Sequence, residues 1–144
     1  MVCYANYCRS PVAEKILKSL LPHINVESRG IRPLIYKPSM DKRSLKYLKE
    51  LGIKDLFHSP KAINKSDIES SNLILALDQF ILIELLKKYK TFANKIKIFT
   101  LFSNDSVYDP YKLKTYDDYK IELKKISHNC ELWKKEIENK NDFF

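Results

Sequence analysis

Cys3 and Arg9 are separated by five residues, Tyr4, Ala5, Asn6, Tyr7 and Cys8, and Ser10 and Pro11 follow at once. Five intervening residues can wrap a loop whose backbone N–H groups converge on one point, at the positive end of the helix that follows. A phosphate bound there meets the planar fork of Arg9 across two of its oxygens, with Cys3 beneath the phosphorus. A cysteine at a helix N-terminus is favoured as its thiolate, the nucleophilic form. Attack gives a cysteinyl-phosphate, and water then releases phosphate. Ser10 is placed to donate a hydrogen bond to the sulfur as it leaves, and Asn6 to hold the loop in shape through its amide. The alcohol that departs needs a proton, and a positioned carboxylic acid contributes about 10²–10⁴-fold. Asp109, ahead of Pro110 and Tyr111 in a long polar stretch, is the candidate. An Asp-Pro pair is also a common turn former, which is the bland alternative. Asp105, Asp117 and Asp118 are the other nearby acids, and the last two suit the first turn of a helix. This set requires no metal and no cofactor.

These residues must be positioned by regular elements. Ser10 as N-cap and Pro11 at the first helical position, followed by Val12, Ala13, Ile16, Leu17, Leu20 and Leu21, predict a helix that Pro22 stops. Residues 25–28 read as a short strand closed by Gly30, and 31–38, with Pro33 and Pro38, as loop. Ser39 is placed to cap a helix over 40–51 with Gly52 as its stop. A helical turn is expected near Asp67. Residues 73–77 form a continuous apolar run, which fits a strand buried on both faces, and Asp78 then caps a helix to about Tyr89. Residues 95–101 read as a further strand and 102–115 as loop. The last helix runs from about Tyr116 to Glu138, because Tyr119, Leu123, Ile126, Cys130, Trp133 and Ile137 step by four and three along one face. Strands separated by helices imply a parallel α/β sheet with right-handed crossovers.

Composition narrows the functional classes. The chain has 144 residues, a length that suits one domain over 1–144. It has only two glycines, so phosphate loops built from repeated glycines are excluded. Lys and Arg number 26 against 18 Asp and Glu, a net charge of +8 spread without a dense basic block. That pattern reads as solvated charge that aids recruitment of phosphorylated, acidic partners, and no nucleic-acid binding is expected. Three cysteines, Cys3, Cys8 and Cys130, with no signal peptide, point to a reducing, cytoplasmic setting. The apolar runs are too short to span a bilayer, so no membrane role is expected. Cys130 and Trp133 read as core. His23, His58 and His128 lack metal-ligand spacing and read as non-catalytic. Residues 141–144 read as a frayed tail.

The run from Cys3 through Asn6, Cys8, Arg9, Ser10 and Pro11, with Asp109, Pro110 and Tyr111 about a hundred residues later, resembles the low-molecular-weight protein tyrosine phosphatases. The likeness extends through Ser28, Arg29 and Gly30, Asp41, residues 51–53, His58 and residues 75–78, nearly the whole chain. It implies a three-layer α/β sandwich around a four-stranded parallel sheet. It implies Cys3 as nucleophile, Arg9 as phosphate and transition-state binder, and Asp109 as general acid and then base. Tyr4, Ala5, Asn6, Tyr7, Cys8 and Ser10 would form the substrate-binding loop, and Tyr4, Tyr111 and residues 34–36 the rim. Tall aromatic walls would suit a phosphotyrosine ring and leave phosphoserine poorly supported. Tyr108, Tyr111 and Tyr116 flank the acid, and tyrosines there can be phosphorylated in the family. The family also implies a Cys3–Cys8 disulfide that shields the nucleophile. A small residue packed under the loop is the equal alternative for Cys8.

Four positions depart from the family pattern. Only Met1 and Val2 precede Cys3, so the first strand is expected to be truncated, exposing apolar faces on both neighbours. Ala5 stands where the family usually has glycine, which marks it for backbone strain unless φ there is negative. Lys112 replaces a second aromatic and favours acidic peptide partners. Leu34 replaces an aromatic of the pocket. Two rivals follow. One is an inactive phosphotyrosine-binding module that keeps the loop without the strand bracing it. The other is an arsenate reductase, which needs two further cysteines where residues 70–95 have none. Expected partners are a phosphotyrosine protein or small aryl phosphate and a cognate tyrosine kinase, the protein itself being a monomer or weak dimer.

Overall fold

A computed structural model describes residues 1–140; the expected tail lies outside them. Strand β1 (Val2–Cys3) leads through the loop 4–9 into helix α1 (Ser10–Leu20). Strand β2 (Arg29–Gly30), helix α2 (Lys42–Glu50) and helix α3 (Lys65–Ser70) follow. Then come strand β3 (Ile74–Ala76), helix α4 (Gln79–Lys88), a 3₁₀ stretch over Lys90–Lys95, strand β4 (Ile96–Ile98) and the long helix α5 (Tyr116–Asn139). The strands form one parallel sheet in the order β2-β1-β3-β4.

Side-chain alternation sorts the helices into two outer layers. Cys3, Leu75 and Leu77 face α1, α2 and α5, through residues such as Val12, Leu17, Leu48, Leu123 and Trp133. Val2, Ile74, Ala76 and Ile96 face the opposite way, against Ile68 of α3 and Ile81 and Leu85 of α4. The architecture is therefore the expected three-layer sandwich. The strand order reverses between β1 and β3, so their C-terminal ends open the crevice in which such sheets bind ligands. Cys3 ends β1, and Asp78 follows β3 by two residues. A cavity of about 290 Å³ opens at the other end of β1, lined by Met1, Val2, residues 24–27 and residues 70–75 among others.

Several local expectations are corrected. Helix α1 begins at Ser10 itself, with Arg9 in the cap position and no side-chain cap; the Ser10 hydroxyl is engaged by Cys3 and Asn6 instead. The strand expected at 25–28 lies at Arg29–Gly30, because the ladder forms opposite β1, with Val2 paired to Arg29 and Cys3 to Gly30. Asp41, not Ser39, caps α2, accepting from the N–H of Arg43. Asn64 and Asp67 form a reciprocal capping box at α3. Gly52 ends the α2 segment at φ +76°, the left-handed conformation that glycine adopts freely. The expected strand 95–101 shortens to Ile96–Ile98, its start taken by the 3₁₀ stretch. The predicted face of α5 is buried throughout, Tyr119, Leu123, Ile126, Cys130 and Trp133 completely.

Candidate active site

The loop between Cys3 and Ser10 is held from outside by its carbonyls. Cys3 O accepts from Ile31 N at 3.1 Å, Tyr4 O from Arg32 N at 2.8 Å, and Ala5 O from Leu34 N at 3.0 Å. Asn6 O accepts from His58 Nε2 at 2.7 Å, Tyr7 O from Asp41 N at 3.0 Å, and Cys8 O from Ser44 Oγ at 2.8 Å. A trans peptide sets its N–H opposite its C=O. Turning six successive carbonyls outward therefore turns the intervening N–H groups toward the loop's own hollow, which is what an oxyanion requires.

Asn6 is the keystone of this loop. It is fully buried with φ 51°, the only positive φ among the described non-glycine residues. Asparagine tolerates that region better than most side chains. Its Nδ2 donates to Ser10 Oγ at 2.8 Å and Ser28 Oγ at 3.0 Å, and its Oδ1 accepts from Lys61 N at 2.9 Å. Strain expected at Ala5 thus belongs one residue later, and alanine incurs no left-handed penalty at its own position. Gly30 is the second backbone requirement. A Cβ there would lie 2.9 Å from Asn6 Cβ, Asn6 N and Tyr4 O, so only glycine lets β2 approach the loop this closely.

Cys3 Sγ lies 2.9 Å from Ser10 Oγ. Ser10 Oγ accepts from Asn6, and its hydrogen can turn from Arg29 O, 3.4 Å away, to the nearer sulfur, where it would support a thiolate or a departing one. Arg9 is buried, and its Nη1 donates to Asp78 Oδ2 at 2.7 Å and to Val107 O at 3.1 Å. Burial opposes its charge, but Cys3 and Asp78 outweigh that and hold Arg9 more firmly protonated than usual. Burial pushes the Cys8 thiol well up, so Cys8 stays protonated. Cys3, Cys8 and Cys130 are all free thiols in this structure. Cys130 is fully buried and its thiol pushed up by that burial.

One cavity of about 330 Å³ gathers the expected residues: Cys3, Tyr4, Ala5, Tyr7, Cys8, Arg9, Leu34, Tyr36, Asp109 and Tyr111 line it. Asn6 and Ser10 lie behind it, fully buried. Asp109 is exposed at the rim, its Oδ1 accepting from Tyr111 N at 3.1 Å. Tyr7 and Tyr111 stack edge to face at 6.2 Å, and Tyr4 leans on Phe80 at 6.3 Å. Asp105 hydrogen-bonds Asn129, and Asp117 and Asp118 sit in the first turn of α5. Tyr116, at the start of α5, is pushed up to about 12 by burial and the neighbouring Glu50.

Two side chains were not anticipated in these roles. Asp78 caps α4 as expected, with Oδ1 accepting from Ile81 N at 2.9 Å, but its other oxygen also orients Arg9, which was not expected. Its place after a doubly buried strand, at the sheet edge where ligands bind, is a signal that the sequence did carry. Arg43 grips Asp41 with two nitrogens at 2.9 Å, stacks on Tyr119 at 4.1 Å, and donates to the carbonyls of Tyr111 and Leu113. It ties the segment carrying Asp109 to the helix that braces the phosphate loop. No local pattern announces that contact, because its partners lie about 70 residues away.

Known proteins resemble this chain over most of its length. A family model, low molecular weight phosphotyrosine protein phosphatase, matches residues 1–142. Wzb of Escherichia coli, a low molecular weight protein-tyrosine-phosphatase, is 27% identical over 113 residues, covering 78% of this chain and 76% of its own. A probable enzyme of the same name, EpsP of Ralstonia nicotianae, is 26% identical across 92% of this chain and 90% of its own. Ptp of Acinetobacter johnsonii is 34% identical, but over just 55% of each chain. Among solved structures, Vibrio vulnificus Wzb in complex with benzylphosphonate superposes with a TM-score of 0.85 at 23% identity, covering 94% of each chain. The YwlE arginine phosphatase of Geobacillus stearothermophilus reaches 0.85 at 21% identity, covering 96% and 90%. With the matched model spanning nearly its whole length, the chain belongs to the low molecular weight phosphotyrosine protein phosphatase family.

Proposed function

We propose that the protein hydrolyses phosphotyrosine in protein substrates through a phosphorylated Cys3. The observation that carries this reading is that Cys3, Arg9 and Asp109 line a single cavity walled by Tyr4, Tyr7, Tyr36 and Tyr111. Phosphate enters the hollow of the loop, where the inward N–H groups and Arg9 bind its equatorial oxygens. The Cys3 thiolate attacks phosphorus, the bond to the phenolic oxygen breaks, and Asp109 gives its proton to that oxygen. Asp109, now a carboxylate, takes a proton from water as the water attacks phosphorus. The S–P bond breaks toward a sulfur stabilised by the Ser10 hydroxyl. Phosphoryl transfer of this kind needs positioning and charge stabilisation more than covalent work. The aromatic walls set the depth: a phenyl ring spans them, whereas phosphoserine would leave its phosphate short of the loop.

Turnover of para-nitrophenyl phosphate and of phosphotyrosine, phosphoserine and phosphoarginine peptides tests this. Phosphotyrosine turnover is expected to exceed phosphoserine turnover strongly, to vanish in Cys3→Ser, and to fall about 10²–10⁴-fold in Asp109→Asn. Equal use of phosphoserine would sink the reading. Preference for phosphoarginine would replace its substrate, and binding without turnover would replace the enzyme by a phosphate-binding module.

A further inference from the structure

The mouth of the cavity is framed by two segments, 31–38 and 109–115, which carry Arg32, Lys37, Lys112 and Lys114 against a single acid, Asp109 of the site itself. None of the four forms an ion pair among the described residues. The backbone that carries them is tied down, and the Lys37 side chain also lies against two rings. The Arg32 N–H is bonded to Tyr4 O at 2.8 Å. Lys37 Nζ lies 5.9 Å from the Tyr7 ring centroid and 5.6 Å from that of Tyr36. Lys112 sits between the two carbonyls that Arg43 grips, with Lys114 beside the second. The nearest buried acid, Asp41, is neutralised by Arg43. Large apolar side chains stand unburied among these cations: Ile35 is 74% exposed and Tyr36 73%, with Tyr111 and Leu113 opposite. Exposed apolar surface ringed by charge marks an interaction site.

We infer that this rim binds the substrate chain on either side of the phosphotyrosine and selects peptides with Asp or Glu within about three residues of it. A neighbour in an extended chain is displaced about 3.3 Å per residue, so three residues carry a side chain about 10 Å from the phosphotyrosine. The inference rests on the phosphatase reading and adds the sequence class of the substrate to it. Arg32, Lys112 and Lys114 are exposed and Lys37 is half-buried against two rings, so little desolvation is needed and each contact has the worth of an exposed pair, up to about fivefold in affinity.

The test measures kcat/KM for one phosphotyrosine peptide with flanking Glu and for the same peptide with Gln, at low and high salt. A preference for Glu of about three- to tenfold is expected at low salt, the product of two or so exposed pairs. It should shrink toward one at 1 M salt, where the screening length is about 3 Å. In K37E/K112E, which leaves Arg32 and Lys114 balanced by the two new carboxylates, the preference should fall to about one. It should persist in K134E/K135E, which changes net charge equally but lies about 27 Å along α5 from Tyr116. Because each value is a ratio within one protein, partial loss of activity cancels. A wild-type ratio of one at low salt overturns the inference, as does a ratio unmoved by the rim reversal or moved equally by the α5 control. Turnover of no aryl phosphate at all removes the phosphatase reading, and this one with it.

Discussion

A buried arginine is useful to a phosphate only if it is fixed before the phosphate arrives, and here one carboxylate does the fixing. Asp78 spends one oxygen on the N-terminus of α4 and the other on Arg9. Asn at position 78 would keep the capping acceptor, since asparagine caps as well as aspartate, but would lose the charge that orients the guanidinium. Asp78→Asn is therefore expected to lower kcat/KM by about ten- to a hundredfold, the worth of a charged hydrogen bond of about 1.5–3 kcal/mol. The thermal unfolding temperature should also fall somewhat, because the buried guanidinium loses its carboxylate, so kcat/KM is compared below the variant's unfolding transition. An unchanged kcat/KM would show that Val107 O alone suffices to hold Arg9.

At the scale of elements, the phosphate loop is a segment without helix or strand that borrows its shape from neighbours. β2 supplies the close approach at Gly30, α2 supplies Ser44, and the connection after α2 supplies His58. Burial lowers the affinity of His58 for a second proton, and its Nε2 donates to Asn6 O as a neutral ring. An unfolded chain binds that proton below about pH 6.5, whereas the folded one resists it. The unfolded state then holds more protons, so stability falls as pH drops below about 6.5 and is flat with respect to this group above it. The slope from one group is at most about 1.4 kcal/mol per pH unit. Denaturant unfolding between pH 5 and 7.5 should show this loss in the wild type and a flatter profile in His58→Gln. Parallel profiles would remove His58 from the account. The sequence marked His58 as non-catalytic, which fits this bracing position, but could not say which carbonyl it holds.

For the whole molecule, the site depends on a core built largely by α5. Trp133 is fully buried, its Nε1 donates to Phe99 O at 2.6 Å, and its ring meets Phe102 at 4.8 Å. It packs beyond β4, on the sheet face that also carries Cys3. Trp133→Ala is expected to cost about 3–5 kcal/mol in urea unfolding, the usual range for deleting a buried aromatic. Trp133→Phe should cost less, keeping an aromatic ring but leaving the Phe99 carbonyl unpaired. If both variants lose less than about 1 kcal/mol, α5 is not the support described. Among the described residues no helix is long and apolar enough to cross a membrane.

What the sequence determined by itself was local: the cysteine–arginine spacing, the helix stops at Pro22 and Gly52, the cap at Asp78, the doubly buried strand, and the apolar face of α5. Each of these follows from forces acting within a few residues, whether capping, backbone torsion or side-chain periodicity. The pairing of Asp78 with Arg9, the grip of Arg43 on the segment bearing Asp109, and the register that moved β2 to Arg29–Gly30 were decided by tertiary structure alone. So was the shift of backbone strain from Ala5 to Asn6. Their partners lie some 25 to 70 residues apart or, for Asn6, on three separate segments. A hydrogen bond across such a span is selected by how the layers pack, which no short window of sequence contains.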